Sequence, residues 1–211
     1  MNSEYLYDYI NLFERVLSAG YKLNYSTGAI ERAVSYSPFF LKIEGDNNAF
    51  APIINDSVLV KTLFPEHDIA LDKTPVFNQC LWAAEAYLRI QGDTKLTFEA
   101  IFLYIPINKM YDFFPVYHEM DFSHIVQEFH KLYEQKTIFA LLLYKYGYSI
   151  IDVSKETNIP TTTLYSLKSR RRNIKKVSVE IVKSLSSLFN VRLETFAEIQ
   201  IWNIIISILL K

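Results

Sequence analysis

The stretch Ser149–Lys168, SIIDVSKETNIPTTTLYSLK, constrains the fold of this chain more than any other segment. It reads as two short helices joined by a tight turn, and three arginines, Arg170, Arg171 and Arg172, follow at once. Ser149 is placed to cap the first helix, Ile150 to Thr157. Asn158 falls in the turn, where a left-handed backbone is often needed and asparagine tolerates it better than most non-glycine residues. Pro160 opens the second helix, where its missing N–H costs nothing. Val153, Ile159, Leu164 and Leu167 are the apolar anchors, which leaves Thr161, Thr162, Tyr165 and Ser166 as a polar front.

In a pair of this kind the first helix packs through one inward face and the second buries only its rear side. The front of the second helix is then free to enter a DNA groove. Its threonine hydroxyls can meet phosphates or base edges, and their methyls can touch a thymine methyl. The arginine run directly after it suits phosphate neutralisation, although a basic tripeptide on a loop also serves simply as solvated surface.

Downstream of Ile174, VSVEIVKSLSSLFNV predicts a helix capped by Ser178, with Ile181, Val182, Leu185, Leu188 and Phe189 inward, and RLETFAEI predicts another. A helix from Ile138 to Tyr148 precedes the pair. Five short helices with the motif at the second and third positions resemble the lambda-repressor-like helix-turn-helix family, also called Xre or Cro-type. The resemblance covers about Thr137 to Ile199. It is carried by Val153-Ser154, Asn158, Ile159, the run Thr161 to Leu164, and Ser186-Ser187-Leu188-Phe189-Asn190-Val191 with Phe196.

That resemblance implies base contacts by Thr161, Thr162, Ser166 and Tyr165. It implies phosphate contacts by Ser149, Lys168, Ser169 and the run Arg170, Arg171 and Arg172. The implied partner is double-stranded DNA, bound by a homodimer on a palindromic site. Three positions depart from the family pattern. Ile150 stands where many relatives carry a phosphate-binding polar residue, Lys168 where many carry a structural glutamate, and Ser154 where a small alanine is usual.

Charge divides the chain in the same place. Residues 1–135 carry 10 Lys+Arg against 18 Asp+Glu, and residues 136–200 carry 11 against 5. A basic end on an acidic body fits a nucleic-acid-binding module attached to something else. We therefore read 1–135 as an acidic, aromatic-rich domain for sensing, dimerisation or partner binding, and 136–211 as the helix-turn-helix domain with an apolar terminal helix. Half the residues are hydrophobic, and Tyr and Phe together number 30, so a real core is expected.

The first part reads as mainly α with a small β element. Tyr5, Tyr9, Leu12, Phe13, Val16 and Leu17 share one face of a helix that Gly20 would cap. A short helix is expected from Thr27 to Val34, stopped by Pro38. FFLKIEG and SVLVKTLF, bounded by the GDNN turn, PIIND and Pro65, suggest one or two strands. Thr74-Pro75 signals a helix running to Gln91 and ended by Gly92-Asp93. Thr97 caps the next, which Pro106 stops. Pro115 is expected to break the following piece, and Asp121 or Ser123 to cap a helix built on Ile125, Val126, Phe129 and Leu132.

Several chemistries find no support. His118, His124 and His130 are spaced by six, which puts neighbours on different helix faces, so no metal site is expected. His124 and Glu128 instead suit a surface pair. No glycine loop could cradle a phosphate, and no nucleophile–base arrangement is evident, so neither an enzyme nor a cofactor is expected. Cys80, the lone cysteine, sits in an apolar helical pattern and fits a reducing cytoplasm. The N-terminus lacks a basic signal-peptide region, and no apolar run approaches the roughly 18 residues of a membrane span. The tail Ile201 to Leu210 either closes the core or makes a two-fold contact. The expected function is a DNA-binding transcription regulator. The alternative is an inhibitor, such as an antitoxin or phage anti-defence protein, acting on a protein partner through the acidic domain.

Overall fold

The computed structural model describes residues 5–45, 59, 62–64, 77–171 and 173–198. Among them are twelve α-helices and no strand. They are α1 Leu6–Lys22, α2 Thr27–Tyr36, α3 Pro38–Glu44, α4 Phe77–Thr94, α5 Phe98–Tyr104, α6 Ile107–Tyr117, α7 Ser123–Gln135, α8 Ile138–Tyr146, α9 Ile150–Thr157, α10 Thr161–Lys168, α11 Val179–Phe189 and α12 Leu193–Ala197. The chain is thus mainly helical, as its periodicity predicts. Asp46-Asn47-Asn48 of the GDNN turn, the Thr74-Pro75 start, Arg172 and the tail Ile201 to Leu210 lie outside the described residues.

Several local expectations change. FFLKIEG is helix α3, not strand. Ser37 accepts the Phe39 N–H at 3.2 Å and Pro38 takes the first position, so the proline starts a helix instead of interrupting one. Phe40 and Ile43, three apart, bury the helix's inner face. Of SVLVKTLF, the described Leu59, Thr62 and Leu63 are helical too. Gly20 lies inside α1, where a Cβ would come within 2.6 Å of Ile30, so glycine is there for close helix packing. Gly92 and Asp93 stay helical, and the left-handed residue after α4 is Lys95. Pro115 sits within α6 without ending it, because it lies in the last turn and His118 N–H still reaches Phe114 O at 3.0 Å.

The centre of the molecule is the short helix α5. Its Phe98, Ala100, Ile101, Phe102 and Tyr104 are all buried, and it touches α2, α4, α7, α8 and α12. On one side α1 lies along α4, with Phe13 at the focus of Phe40, Tyr87 and Phe98, ring centroids 4.8 to 5.7 Å away. On the other side Phe139 of α8 meets Phe189 and Phe196 edge-on at 6.0 Å. Each buried ring of this kind removes enough apolar surface from water to contribute about 1.5–3 kcal/mol. One continuous core therefore runs from Leu6 to Ala197, across the charge boundary near residue 135.

Three acidic side chains of the first part act as caps for helices far away in sequence. Glu44 Oε1 accepts the Phe98 N–H at 2.6 Å, at the start of α5. Glu31 Oε1 accepts the Ile107 N–H at 2.8 Å, at the start of α6. Glu99 Oε2 accepts the Arg192 N–H at 2.9 Å, just before α12. Helix N-termini leave N–H groups without intrahelical partners and carry partial positive charge, so a carboxylate is well matched there. Part of the acidic excess of residues 1–135 is thus structural.

Candidate nucleic-acid interface

Ser149 caps α9 as its position predicts, and the cap is reciprocal. Its hydroxyl accepts the Asp152 N–H at 3.2 Å, while Asp152 Oδ2 takes the Ser149 N–H at 3.1 Å and the hydroxyl at 2.6 Å. The bonds from Ser149 hold the exposed Asp152 carboxyl below its ordinary pKa. This S-x-x-D box was legible in the sequence as a capping signature. It places a carboxylate at the Ser149 end of the helix, so Ser149 is already occupied by an anionic partner.

Asn158 adopts the left-handed conformation expected of the turn, with φ of 56°. Pro160 is the residue before α10, extended at φ −56° and ψ 136°, one position earlier than its sequence suggests. Ser154, the departure from a small alanine, gives its hydroxyl to Ile159 O at 2.6 Å and ties the first helix to the turn. The four anchors Val153, Ile159, Leu164 and Leu167 are all buried. Ile150 is buried as well, which accounts for an apolar residue where a phosphate ligand would be polar.

Helix α10 buries Leu164 and Leu167 on one side. Thr161, Thr162, Tyr165, Ser166 and Ser169 recur at the spacing of the opposite side, with Tyr165 57% exposed. Their hydroxyls are not equally free. Ser166 donates to Thr163 O at 2.7 Å and Ser169 to Tyr165 O at 2.9 Å, so those protons are committed to the helix itself. Among the described residues, no side-chain partner occupies the hydroxyls of Thr161, Thr162 or Tyr165. Lys168 and Arg171 are exposed.

Arg170 has a different task from its neighbours. It is left-handed at φ 55°, and its guanidinium turns onto the α7–α8 junction. There it bonds Tyr133 O, Lys136 O at 2.9 Å and Tyr104 Oη at 3.4 Å, and stacks over the Tyr133 ring at 4.2 Å. Burial works against its charge, but Glu198 and the two tyrosine hydroxyls more than offset this and raise its pKa. Tyr133 also donates to Glu198, and burial together with that carboxylate pushes the phenol up to about 12. The C-terminal end of α10 is therefore fastened to α5 and the α7–α8 junction through Arg170. Nothing in the sequence separates Arg170 from Arg171.

Glu128 does not pair with His124 as expected. Glu128 takes Lys131 at 3.2 Å, and His130 takes Asp93 at 2.7 Å. Among the described residues no group of His, Cys, Asp and Glu could hold a metal ion, and no helix is long and apolar enough to cross a membrane. Cys80 is buried, 3.7 Å from the Tyr111 hydroxyl, and burial pushes its thiol pKa up. Comparison with protein-family models, with curated proteins and with solved structures finds no match for this chain.

Proposed function

We propose that the protein binds double-stranded DNA through α9 and α10 and regulates transcription. The observation that carries this reading is the two-sided chemistry of α10. Its rear is held by Leu164 and Leu167, while Thr161, Thr162 and Tyr165 keep hydroxyls without a side-chain partner on the other side. A helix held from behind and polar in front suits the major groove, whose base edges offer both donors and acceptors. In this reading Lys168 and Arg171 neutralise phosphates beside the groove, joined by Arg172. Arg170 keeps the helix at a fixed angle to the body and contacts no phosphate. Ser149, Ser166 and Ser169 then have lesser roles, because their protons are already given to the protein. A two-fold DNA site would require a dimer, with one α10 per half-site.

Fluorescence anisotropy of the full chain, on its own upstream DNA and on a scrambled duplex across a salt series, tests the reading. Tighter binding to the upstream DNA, lost in Thr162→Ala with unchanged folding, is the expected result. Failure to bind either duplex at low salt rejects it, and the search then moves to protein partners of the acidic layer.

A further inference from the structure

A cleft of about 600 Å³ opens between the two parts of the molecule. One wall is α2 and α5, and the other is the end of α8 with the Asn190 turn after α11. Tyr36 and Tyr146 stand at its mouth, 49% and 46% exposed, close enough to influence each other electrostatically, and Phe102 lies within. Its volume falls in the range of small-molecule sites, which favour boundaries between packed units.

The polar groups differ in depth and in commitments. Arg32 and Lys145 are exposed at the rim, and the positive charge of each reaches Glu31 and favours its ionised form. Glu99 is fully used: one oxygen takes the Tyr36 hydroxyl at 2.8 Å and the other the Arg192 N–H at 2.9 Å. Glu31 is half-buried and only half used. Its Oε1 caps α6 through Ile107, and among the described residues no donor reaches its Oε2. A carboxylate withdrawn from water with an acceptor to spare attracts a cation. The aromatic residues Tyr36, Phe102 and Tyr146 line the same cleft and suit a cation that carries a ring.

We propose that this cleft binds a small aromatic amine, its ammonium group on Glu31 and its ring between Tyr36 and Tyr146. The ligand would touch helices of both parts, so its occupancy reinforces their contact, independently of what α10 binds. Burial holds the free Glu31 carboxyl near neutrality, at a pKa of about 7, and an ammonium neighbour would stabilise its charged form.

The test is calorimetric titration of the full-length protein at mildly alkaline pH with tyramine, and in parallel with 4-hydroxyphenylacetate, which carries the same ring and the opposite charge. Saturable tyramine binding, weakened about tenfold or more by Glu31→Gln and by Tyr146→Ala, is expected, with the acid binding far more weakly. The amide introduced by Glu31→Gln keeps an acceptor for the Ile107 N–H, and a thermal melt checks that this variant folds. If it does not, exposed Tyr146→Ala decides alone. Absence of saturable binding at millimolar tyramine, binding unchanged in the variants, or equal binding of the acid overturns the proposal.

Discussion

Arg192 and Glu44 lie 148 residues apart in sequence and meet at 2.6 Å, with their side chains 10% and 3% exposed. The same guanidinium donates to Ser35 O at 2.7 Å, and the same carboxylate caps α5 through Phe98. Burial, and to a lesser degree the Glu99 carboxylate, raises the Glu44 pKa, and Arg192 works against that shift. The pair is therefore a buried polar tie between α3 and the start of α12.

Removing one partner leaves the other charge buried without compensation. Arg192→Ala is expected to lower the unfolding free energy by about 3–5 kcal/mol in urea titrations. Arg192→Lys recovers only part of this, because one ammonium cannot reproduce the two-pronged geometry toward Glu44 and Ser35. An alanine variant with the stability of the parent would show that water reaches the pair.

Glu31 gives a pH dependence of defined sign. Its folded pKa of about 7 lies above the ordinary 4.5, so the folded chain holds an extra proton between those values. Its contribution is complete below the lower value and is lost as pH rises toward the upper one. Thermal melts of the parent should fall across that window. Glu31→Gln, which cannot ionise, should flatten that part of the profile. A decline equally steep in the variant assigns it to other groups.

Arg170 and Arg171 are adjacent and should fail differently. Arg170→Ala removes the bonds to Tyr133, Lys136 and Tyr104 and is expected to lower the melting temperature. Arg171→Ala should leave the melt unchanged and reduce the salt slope of DNA binding by about 1. Reversed effects would return Arg170 to the phosphate-binding set.

Asn158 carries the turn between α9 and α10 at φ 56°. Asn158→Gly should be nearly neutral, whereas Asn158→Val should cost about 1–2 kcal/mol or more, since a β-branched residue is poorly suited to that conformation. Equilibrium unfolding of the two variants separates backbone strain from any side-chain role.

The C-terminal helices were legible because their signals are local. Ser149, Asn158 and the spacing of Val153, Ile159, Leu164 and Leu167 each act within a few residues. What the sequence concealed is long-range. Glu31, Glu44 and Glu99 look like any acidic side chains on helices, and their role as caps depends on which distant N-terminus comes within reach. Arg170 could not be told from Arg171, because only the position of Tyr133 makes the difference. FFLKIEG misled for another reason. Short aromatic and β-branched runs suit strand and buried helix alike, and Ser37-Pro38 decides for the helix through its cap.

The wide sequence separation of these ties has a consequence for synthesis. Glu44 leaves the ribosome roughly ten to thirty seconds before Arg192 at ordinary elongation rates. During that interval its carboxylate lacks the Arg192 partner, so this buried tie closes only after the last helices emerge. A chain truncated before Arg192 therefore keeps Glu44 as a buried carboxylate without its guanidinium partner.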